Sequence, residues 1–482
     1  MIKWSRTRIF ELRPYRIGAS RKGKDVETGE RVVNVSRLID ETPLTRLQIV
    51  VVALCALVNL LDGADTQSIG VAAPFIANAL AFKMGSFGVV FAASQLGAAL
   101  GALAFGPLAD RFGRKTMLVV AVLTFAFFTL ATLAAPTLTA LIAIRFFTGV
   151  GLGGATPCFL TMTSDYSPRK QRGTIATIIW SAYPLGAAFG SFSNAYVLTH
   201  LGWQAIFMIG GILPLAIAML LILLLPESVQ YLAARSKDPV RIASILARMG
   251  QHVDAKARFT VEGKKSNGVP IRSLLEGRLR SATMLLWVMF FFAFATTNVM
   301  VMWTPTLLHK NGISHANTAI VLAFFNIGAF IGMAAVGRLI DRFGATRVLL
   351  PAFVAAAASI AALGSADTVS IGSVFGACLG LSIGLGGAGA IAIASLLYAP
   401  AIRSTGIGWG MGSARLGQFA SPLVIGSLLT AGLATDRILI VAAMSPVIAA
   451  LMVIFLWLDG KRHSHEGETS SDQPLLTELG KR

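Results

Sequence analysis

The sequence predicts an all-α membrane protein with twelve transmembrane helices arranged as two pseudo-symmetric six-helix halves. Of its 482 residues, 55 % are hydrophobic and only 13 % are charged, whereas a soluble domain carries roughly 25 % charge. Twelve apolar runs are each long enough to cross a bilayer, and a short motif recurs after the second and the eighth run. The composition excludes a soluble enzyme, a disordered scaffold and a nucleic-acid-binding domain as the main body.

The twelve runs are expected to be helices because lipid offers the backbone no hydrogen-bond partners. They lie near residues 47–77, 86–108, 117–135, 138–164, 173–198, 203–225, 283–308, 316–338, 347–365, 369–399, 404–432 and 437–458. The predicted organisation is a basic N-terminal tail (1–46), an N-terminal half (47–226), a central loop (227–282), a C-terminal half (283–458) and a C-terminal tail (459–482). Within the central loop, residues 235–249 fit either a short amphipathic helix on the membrane surface or a solvated linker.

The basic residues orient the predicted helices. Of the 41 Lys and Arg residues, 36 lie in the two tails, the central loop and the loops after spans 2, 4, 8 and 10, and only three lie on the opposite face. By the positive-inside rule, both termini and the central loop are expected to be cytoplasmic in a multi-pass protein of the cell inner membrane. The net charge of +18 is thereby explained by topology and by attraction to the lipid bilayer, and no nucleic acid is expected as a partner.

The repeated motif relates the two halves. Span 2 is followed by Gly-Pro-Leu-Ala-Asp-Arg-Phe-Gly-Arg-Lys (106–115), and span 8 by Gly-Arg-Leu-Ile-Asp-Arg-Phe-Gly (337–344). Recurrence at matched positions predicts two similar halves related by an axis along the membrane normal. The motif fits a cytoplasmic latch between helices, or a tight turn with a stabilising ion pair. The expected gating residues are Gly106, Asp110, Arg111, Gly113, Arg114, Asp165, Asp341 and Arg342, with Asp165 a partner for Arg111 or Arg114.

Further motifs make the chain similar to a known family of transporters. They are Asp-Gly-Ala-Asp (62–65) in span 1, Arg-x-x-x-Gly-x-Gly-x-Gly (145–153) in span 4, Pro-Glu-Ser (226–228) after span 6, Trp-x-Pro (303–305) in span 7 and Tyr-x-Pro-x-x-Arg-x-Thr-Gly-x-Gly-Trp (398–409) before span 11. With the repeated motif, they resemble the major facilitator superfamily and, within it, the aromatic acid:proton symporters. That branch usually carries an aromatic residue inside the first motif, where this chain has Ala64. The resemblance implies the major facilitator fold and places Asp165 in the gating charge network.

Two acids in span 1 are candidates for proton coupling. An ionisable group at the bilayer centre costs about 2.5–3.5 kcal/mol, so its presence needs a reason. Asp62 and Asp65 are three residues apart and share one helix face. Two desolvated carboxylates so close together do not both ionise cheaply, which favours a proton carrier. The alternative is that one of them caps a helix broken at Gly63, or pairs with an arginine.

Two arginines inside spans are candidates for binding a carboxylate, one in each half. The guanidinium of Arg415 suits a carboxylate in a two-bond fork, and Arg145 either does the same or pairs with Asp62 or Asp65. Other candidate cavity residues are polar or aromatic side chains within spans, each of which also fits a plain packing role: Trp180, Tyr183, Asn298 and Asn326. No phosphate-binding loop and no metal-ligand spacing occurs, so no cofactor, no metal and no ATP-driven transport are expected.

Together these features predict a secondary transporter and not an enzyme. It is expected to import a small aromatic carboxylate of the hydroxybenzoate type with protons, by rocking of the halves around a midplane site. No obligate protein partner is inferred. One alternative is a proton-coupled exporter of drugs or metabolites, although span 5 lacks the Gly-Pro order typical of exporters. A second alternative is a transporter-like ligand sensor, for which the central loop offers no support.

Overall fold

The structure is a computed structural model that describes residues 32–41, 43–235, 238–254, 257–261, 271–276, 279–309, 312–399 and 402–467. Predictions for residues 1–31 of the N-terminal tail, for 262–270 of the central loop and for 468–482 of the C-terminal tail concern residues outside this part.

The described chain is almost entirely helical. Its first part contains β1 (Val32–Asn34), α1 (Val35–Glu41), α2 (Arg46–Ala79), α3 (Phe87–Phe112), α4 (Arg114–Ala131), α5 (Leu138–Tyr166), α6 (Arg172–His200) and α7 (Trp203–Leu224). The second part contains α8 (Val229–Ala234), α9 (Pro239–Arg248), β2 (Arg258–Thr260), α10 (Leu279–His309), α11 (His315–Phe343), α12 (Ala345–Leu363), α13 (Val369–Leu397), α14 (Arg403–Thr430) and α15 (Thr435–Gly467). Short 3-10 turns occur at Met84–Ser86, Thr132–Ala134 and Ile271–Leu274.

Helices α2 to α7 and α10 to α15 take the places of the twelve predicted spans. Within the described residues, eleven helices are long and apolar enough to cross a membrane, and α14 is not among them. Helix α14 has 28 residues, which is long enough, but it carries two arginines and many glycines and serines. It packs against α10 of its own half and α3 of the other half, so its polar residues lie against protein.

The helix boundaries follow from local sequence. Thr45 begins α2 with a capping box, in which its hydroxyl accepts from the Gln48 backbone and the Gln48 side chain accepts from the Thr45 backbone. The repeated motif ends α3 at Gly113 with φ +110° and α11 at Gly344 with φ +86°. A side chain at either position would be strained, which explains why both copies of the motif have glycine there.

The apolar cores show how the two halves meet. One core, near the end of the bundle that carries the described ends of the chain, contains only residues between Val35 and Phe259. A second core contains only residues between Leu274 and Val453. A third, near the opposite end, mixes α2, α3, α5 and α7 with all six helices of the C-terminal half. The halves are therefore joined at that opposite end. The end of the bundle that carries the described ends of the chain is called the terminal end.

Glycines allow close approach where the halves join. A Cβ at Gly70 of α2 would lie 2.9 Å from the carbonyl oxygen of Val301, and a Cβ at Gly88 of α3 would lie 2.7 Å from that of Pro422. We call this junction of α2, α3, α10 and α14 the seam. At the terminal end of α3, a Cβ at Gly106 would meet no atom within 4 Å. The halves thus touch closely at the seam, whereas each has its own core towards the terminal end.

The described part of the central loop contains a short helix within residues 235–249, as one of the two alternatives had it, but the apolar face of this helix packs on protein. Helix α9 buries Ile242, Ile245 and Leu246 in the first-half core. Strand β2 pairs in parallel with β1, which matches Val33 to Phe259. The tail therefore packs against the loop through β2 and α8, and α9 packs against α8. The tail, predicted only as a basic extension, forms structure from Val32 onward.

Candidate functional site

Helix α2 brings the two candidate acids to the interior of the first half. Gly63 lies between them, and a side chain there would overlap the backbone of Tyr183 in α6. Next to it, a Cβ at Gly190 of α6 would lie 2.9 Å from the Cβ of Ala64. Glycine and alanine therefore let α2 and α6 touch at the level of the acids. The helix continues unbroken through Gly63, so neither acid acts as a helix cap.

Asp65 is engaged in an ion pair within the first half. Its Oδ2 lies 3.2 Å from Nη2 of Arg145 in α5, and its Oδ1 accepts the hydroxyl of Thr129 at 3.1 Å. Asp65 is 3 % and Arg145 1 % exposed. Of the two partners that the sequence left open for Arg145, the structure selects Asp65. This pair holds α2 against α5 and does not face the space between the halves.

Asp62 is placed differently from Asp65. It is half-buried and takes part in no ion pair among the described residues. Its electrostatic neighbours are Arg415 of α14, which belongs to the other half, and Tyr183 of α6, besides Asp65. An acid and a guanidinium thus face each other from opposite halves. An anion that enters between them meets a cation to bind and a carboxylate able to carry a proton.

Arg415 is held by its own helix. Its Nη1 donates to Oε1 of Gln418 at 3.2 Å, three residues along α14. The nearest acid in electrostatic terms is Asp62, and no acid of the C-terminal half forms an ion pair with it in the described chain. Its remaining guanidinium donors leave the fork geometry available for a carboxylate.

The other candidate cavity residues differ in their neighbours and in their burial. Tyr183 lies beside Asp62, and Trp180, one turn earlier on α6, is 38 % exposed. Asn298 is buried, and its amide bonds to Gln95 and to the backbone of Gln418. Asn326 is also buried and donates to the carbonyl of Leu322 on its own helix at 2.7 Å. Tyr183 is therefore the one of these that adjoins the Asp62–Arg415 pair.

The first copy of the repeated motif is the centre of a polar network at the terminal end. Arg114 forms an ion pair with Asp165, one of the two arginines expected to do so. Asp165 also accepts a hydrogen bond from the hydroxyl of Ser228. Asp110 is 73 % exposed and lies 3.9 Å from Arg114, at the outer edge of the network. The second copy has Ala345 where the first has Arg114, so this pair has no counterpart in the other half.

Glu227 is a member of this network that the sequence analysis did not single out. Its Oε1 accepts from the backbone N–H groups of Arg114 and Lys115, both at 3.0 Å, and of Ser228 at 2.9 Å. It therefore caps the N-terminus of α4, where a negative charge is favoured. The sequence showed the Pro-Glu-Ser motif as a feature of the family. It did not show which helix Glu227 caps.

The remaining gating candidates lie at the open terminal end. Asp341 and Arg342 of the second motif are exposed, and a Cβ at Gly337 would meet no atom within 4 Å. The backbone carbonyl of Arg111 accepts a hydrogen bond from the hydroxyl of Tyr231 at 3.1 Å. Free space thus adjoins Gly106 and Gly337, while the ion pair and hydrogen bonds of the first motif join it to its own half and to the central loop.

Comparison with known proteins identifies the family. The family model described as Major Facilitator Superfamily matches residues 55–310 and 285–481. The gallate transporter of Pseudomonas putida is 34 % identical over 424 residues, which cover 88 % of this chain and 94 % of the relative. The 4-hydroxybenzoate transporter PcaK of the same species is 32 % identical and covers 88 % and 95 % of the two chains. The 3-(3-hydroxy-phenyl)propionate transporter of Escherichia coli is 32 % identical, covering 84 % and 93 %.

Solved structures share the fold. The D-xylose-proton symporter matches with a TM-score of 0.67 at 16 % identity, covering 84 % of this chain and 96 % of its own. The xylose transporter XylE from E. coli, in a partially occluded inward open conformation, matches with a TM-score of 0.65 at 17 % identity and covers 84 % and 97 %. The predicted fold of two six-helix halves is confirmed. The chain is a multi-pass membrane protein that belongs to the major facilitator superfamily and is related within it to transporters of aromatic acids.

Proposed function

We propose that this protein imports a small aromatic carboxylate together with protons by alternating access. The observation that carries the proposal is the placement of Asp62 and Arg415, which face each other from opposite halves without forming an ion pair. Three relatives, at 32–34 % identity, are named as transporters of gallate, 4-hydroxybenzoate and 3-(3-hydroxy-phenyl)propionate. All three compounds combine a carboxylate with a hydroxylated ring, which supports a substrate of this class.

Arg415 is the proposed carboxylate ligand. A carboxylate offers two oxygens to the planar guanidinium fork. The contact is stronger when the site excludes water. Tyr183 and Trp180 on the facing helix α6 provide aromatic surface from the first half. A substrate held by Arg415 from one half and by α6 from the other contacts both halves. It can therefore favour the state in which they close around it.

Asp62 is the proposed proton carrier. An anion that enters a negative-inside cell moves against about 2.3 kcal/mol per charge per 100 mV. One co-transported proton removes this cost, and a second makes entry favourable. Among the described residues, no cation of its own half forms an ion pair with Asp62, whereas Asp65 is neutralised by Arg145. Loss and gain of a proton therefore disturb less packing at Asp62 than at Asp65.

The proposed orientation and location rest on the distribution of basic residues. The excess of Lys and Arg at the terminal end supports an orientation with both termini in the cytoplasm of an inner-membrane protein. The terminal end, where the halves have separate cores, then faces the cytoplasm, and the seam closes the periplasmic side. The repeated motifs at the terminal end are proposed to form the cytoplasmic gate when that side closes.

Uptake into liposomes tests the proposal. Purified protein is reconstituted, an inside-alkaline pH gradient is imposed, and radiolabelled 4-hydroxybenzoate is followed with and without a protonophore. We expect accumulation that the protonophore abolishes and that unlabelled gallate competes away, whereas 4-hydroxybenzamide, which lacks the charge, competes only weakly. Efflux from preloaded vesicles against the gradient would instead indicate an exporter. Binding of the acid without any flux would indicate a sensor, and either result would overturn the proposal.

A further inference from the structure

A row of amide side chains crosses from the first half to Arg415. Gln95 of α3 donates from Nε2 to Oδ1 of Asn298 in α10 at 2.9 Å. Asn298 donates from Nδ2 to the backbone carbonyl of Gln418 in α14 at 2.8 Å. The side chain of Gln418 in turn accepts from Arg415 at 3.2 Å. We call Gln95, Asn298 and Gln418 the amide chain. Its first bond joins the two halves, and its last residue holds the proposed carboxylate ligand.

The amide chain lies where the seam gives way to open space. On α3, Gln95 is seven residues from Gly88, which is about 10 Å along a helix. At Gly88 the helix touches Pro422 and Gly426 of α14, whereas a Cβ at Gly106, further towards the terminal end, would meet no atom within 4 Å. The amide chain is thus placed between the closed part of α3 and its open part, at the level of Arg415.

The Gln95–Asn298 bond exists only while the seam is closed. Its donor and acceptor belong to opposite halves, so separation of α3 from α10 must break it. Asn298 is 4 % exposed. Breaking the bond leaves a buried amide without a hydrogen-bond partner, which costs free energy until water replaces that partner. The bond therefore stabilises the state in which the seam is closed, by the net free energy of one hydrogen bond.

Gln418 takes part through two different groups. Its backbone carbonyl accepts from Asn298, and its side-chain carbonyl accepts from Arg415. The first contact fixes α14 against α10, and the second orients the guanidinium. A substitution that removes the side-chain amide leaves the backbone acceptor in place. The two contacts can therefore be separated by mutation.

We infer that the amide chain is a lock between the halves, in which Gln95 stabilises the closed seam and Gln418 positions Arg415 for the acid. These are positioning residues, since they act on the substrate through Asn298 and Arg415. The role assigned to Gln418 rests on the proposed function, whereas the role of Gln95 does not. The closing of the seam is measured without any substrate. The role of Gln95 and the role of Gln418 can therefore fail independently.

The test uses a reporter thiol in the seam. Ile425 of α14 is 2 % exposed and lies in the core that both halves share. Ile425→Cys is introduced into the full chain with Cys378→Ser, which removes an exposed native thiol, while Cys55 and Cys158 stay buried. The rate of modification by a small polar maleimide then reports how often the seam opens.

Gln95→Leu is expected to raise the labelling rate about two- to tenfold, the range that one net hydrogen bond provides. In a protein that already carries Asn298→Leu, adding Gln95→Leu is expected to raise the rate little further, because the partner of Gln95 in the other half is already gone. Gln171→Leu, an exposed glutamine at the terminal end of the same half, serves as the matched control and should leave the rate unchanged. Equal labelling with and without Gln95→Leu, or purely additive effects of the pair, would overturn the lock.

Gln418→Leu is the complementary variant. It should leave the labelling rate unchanged, because the backbone acceptor for Asn298 remains, and it should weaken binding of 4-hydroxybenzoate several-fold. Binding of 4-hydroxybenzamide should change far less, since Arg415 recognises the charge. Faster labelling together with unchanged acid binding would overturn the role of Gln418. If no aromatic acid binds even the unsubstituted protein, the proposed function fails while the labelling result for Gln95 still stands.

Discussion

Asp65 and Arg145 form a buried ion pair entirely within the first half, with 3.2 Å between Oδ2 and Nη2. The ion pair includes only one of the two acids that lie three residues apart on α2. Asp65 is committed to packing, while Asp62 is left to face Arg415 of the other half. Two carboxylates that look equivalent in the sequence therefore have different environments.

This difference predicts unequal results for neutral substitutions of the two acids. Asp62→Asn should abolish proton-driven accumulation and leave the melting temperature of the purified protein nearly unchanged. Asp65→Asn should lower stability by about 3–5 kcal/mol, because it leaves Arg145 buried without a counter-charge. Adding Arg145→Gln to Asp65→Asn should recover much of that loss. Thermal unfolding in detergent measures stability, and uptake into liposomes under a pH gradient measures accumulation. Normal accumulation by the Asp62 variant would contradict the assignment.

A second prediction concerns recognition of the acid by Arg415. Arg415→Lys keeps the charge but loses the fork, so the affinity for 4-hydroxybenzoate should fall substantially, and Arg415→Ala should nearly remove binding. Isothermal titration with the acid and with its amide separates recognition from folding. The amide should lose far less affinity than the acid on either substitution. Equal losses would show that Arg415 supports a helix contact instead.

A third prediction concerns the gate at the terminal end. Asp110 is 73 % exposed and far along α3 from the seam, so Asp110→Ala should slow turnover strongly with little change in substrate affinity. Initial rates and equilibrium binding measured on the same preparation check this. Glu41→Ala, at an exposed site on α1, is the matched removal of a carboxylate and should leave turnover unchanged. A large loss of affinity at full turnover would place Asp110 in the substrate site.

A fourth prediction concerns the cap that Glu227 provides for α4. Removal of an N-terminal cap costs about 0.5–2 kcal/mol, so Glu227→Ala should lower the melting temperature of the protein. Glu227→Gln keeps an acceptor oxygen and loses only the charge, so it should cost less than the alanine variant. Differential scanning fluorimetry of the three proteins measures this order. The same melting temperature for all three would show that the cap contributes nothing to stability.

A fifth prediction concerns orientation. Reporter tags placed at both termini and in the central loop should all report a cytoplasmic location, since 36 of the 41 basic residues lie in the two tails, the central loop and the loops after spans 2, 4, 8 and 10. A tag in the turn between α10 and α11 should report the opposite side. A periplasmic signal from the central loop would reverse the assignment of the gate and the seam.

The sequence by itself determined the helices, the two halves and the family. Apolar runs, the repeated motif and the uneven distribution of charge are properties of local segments, and a bilayer leaves such segments few alternatives to a helix. The candidate residues were also found in this way, because an ionisable group within an apolar run is conspicuous.

Only the tertiary structure decided which of these residues are partners. Residues three apart on a helix share a broad face, so the sequence could not tell whether Arg145 pairs with Asp62 or with Asp65. Glu227 caps a helix that begins more than a hundred residues earlier, and Gln95 reaches Asn298 from the other half. Such contacts depend on the rotation and the crossing of each helix against its neighbours. That packing is set by many small contacts at glycines and core side chains, and it is not encoded in the periodicity of any one segment.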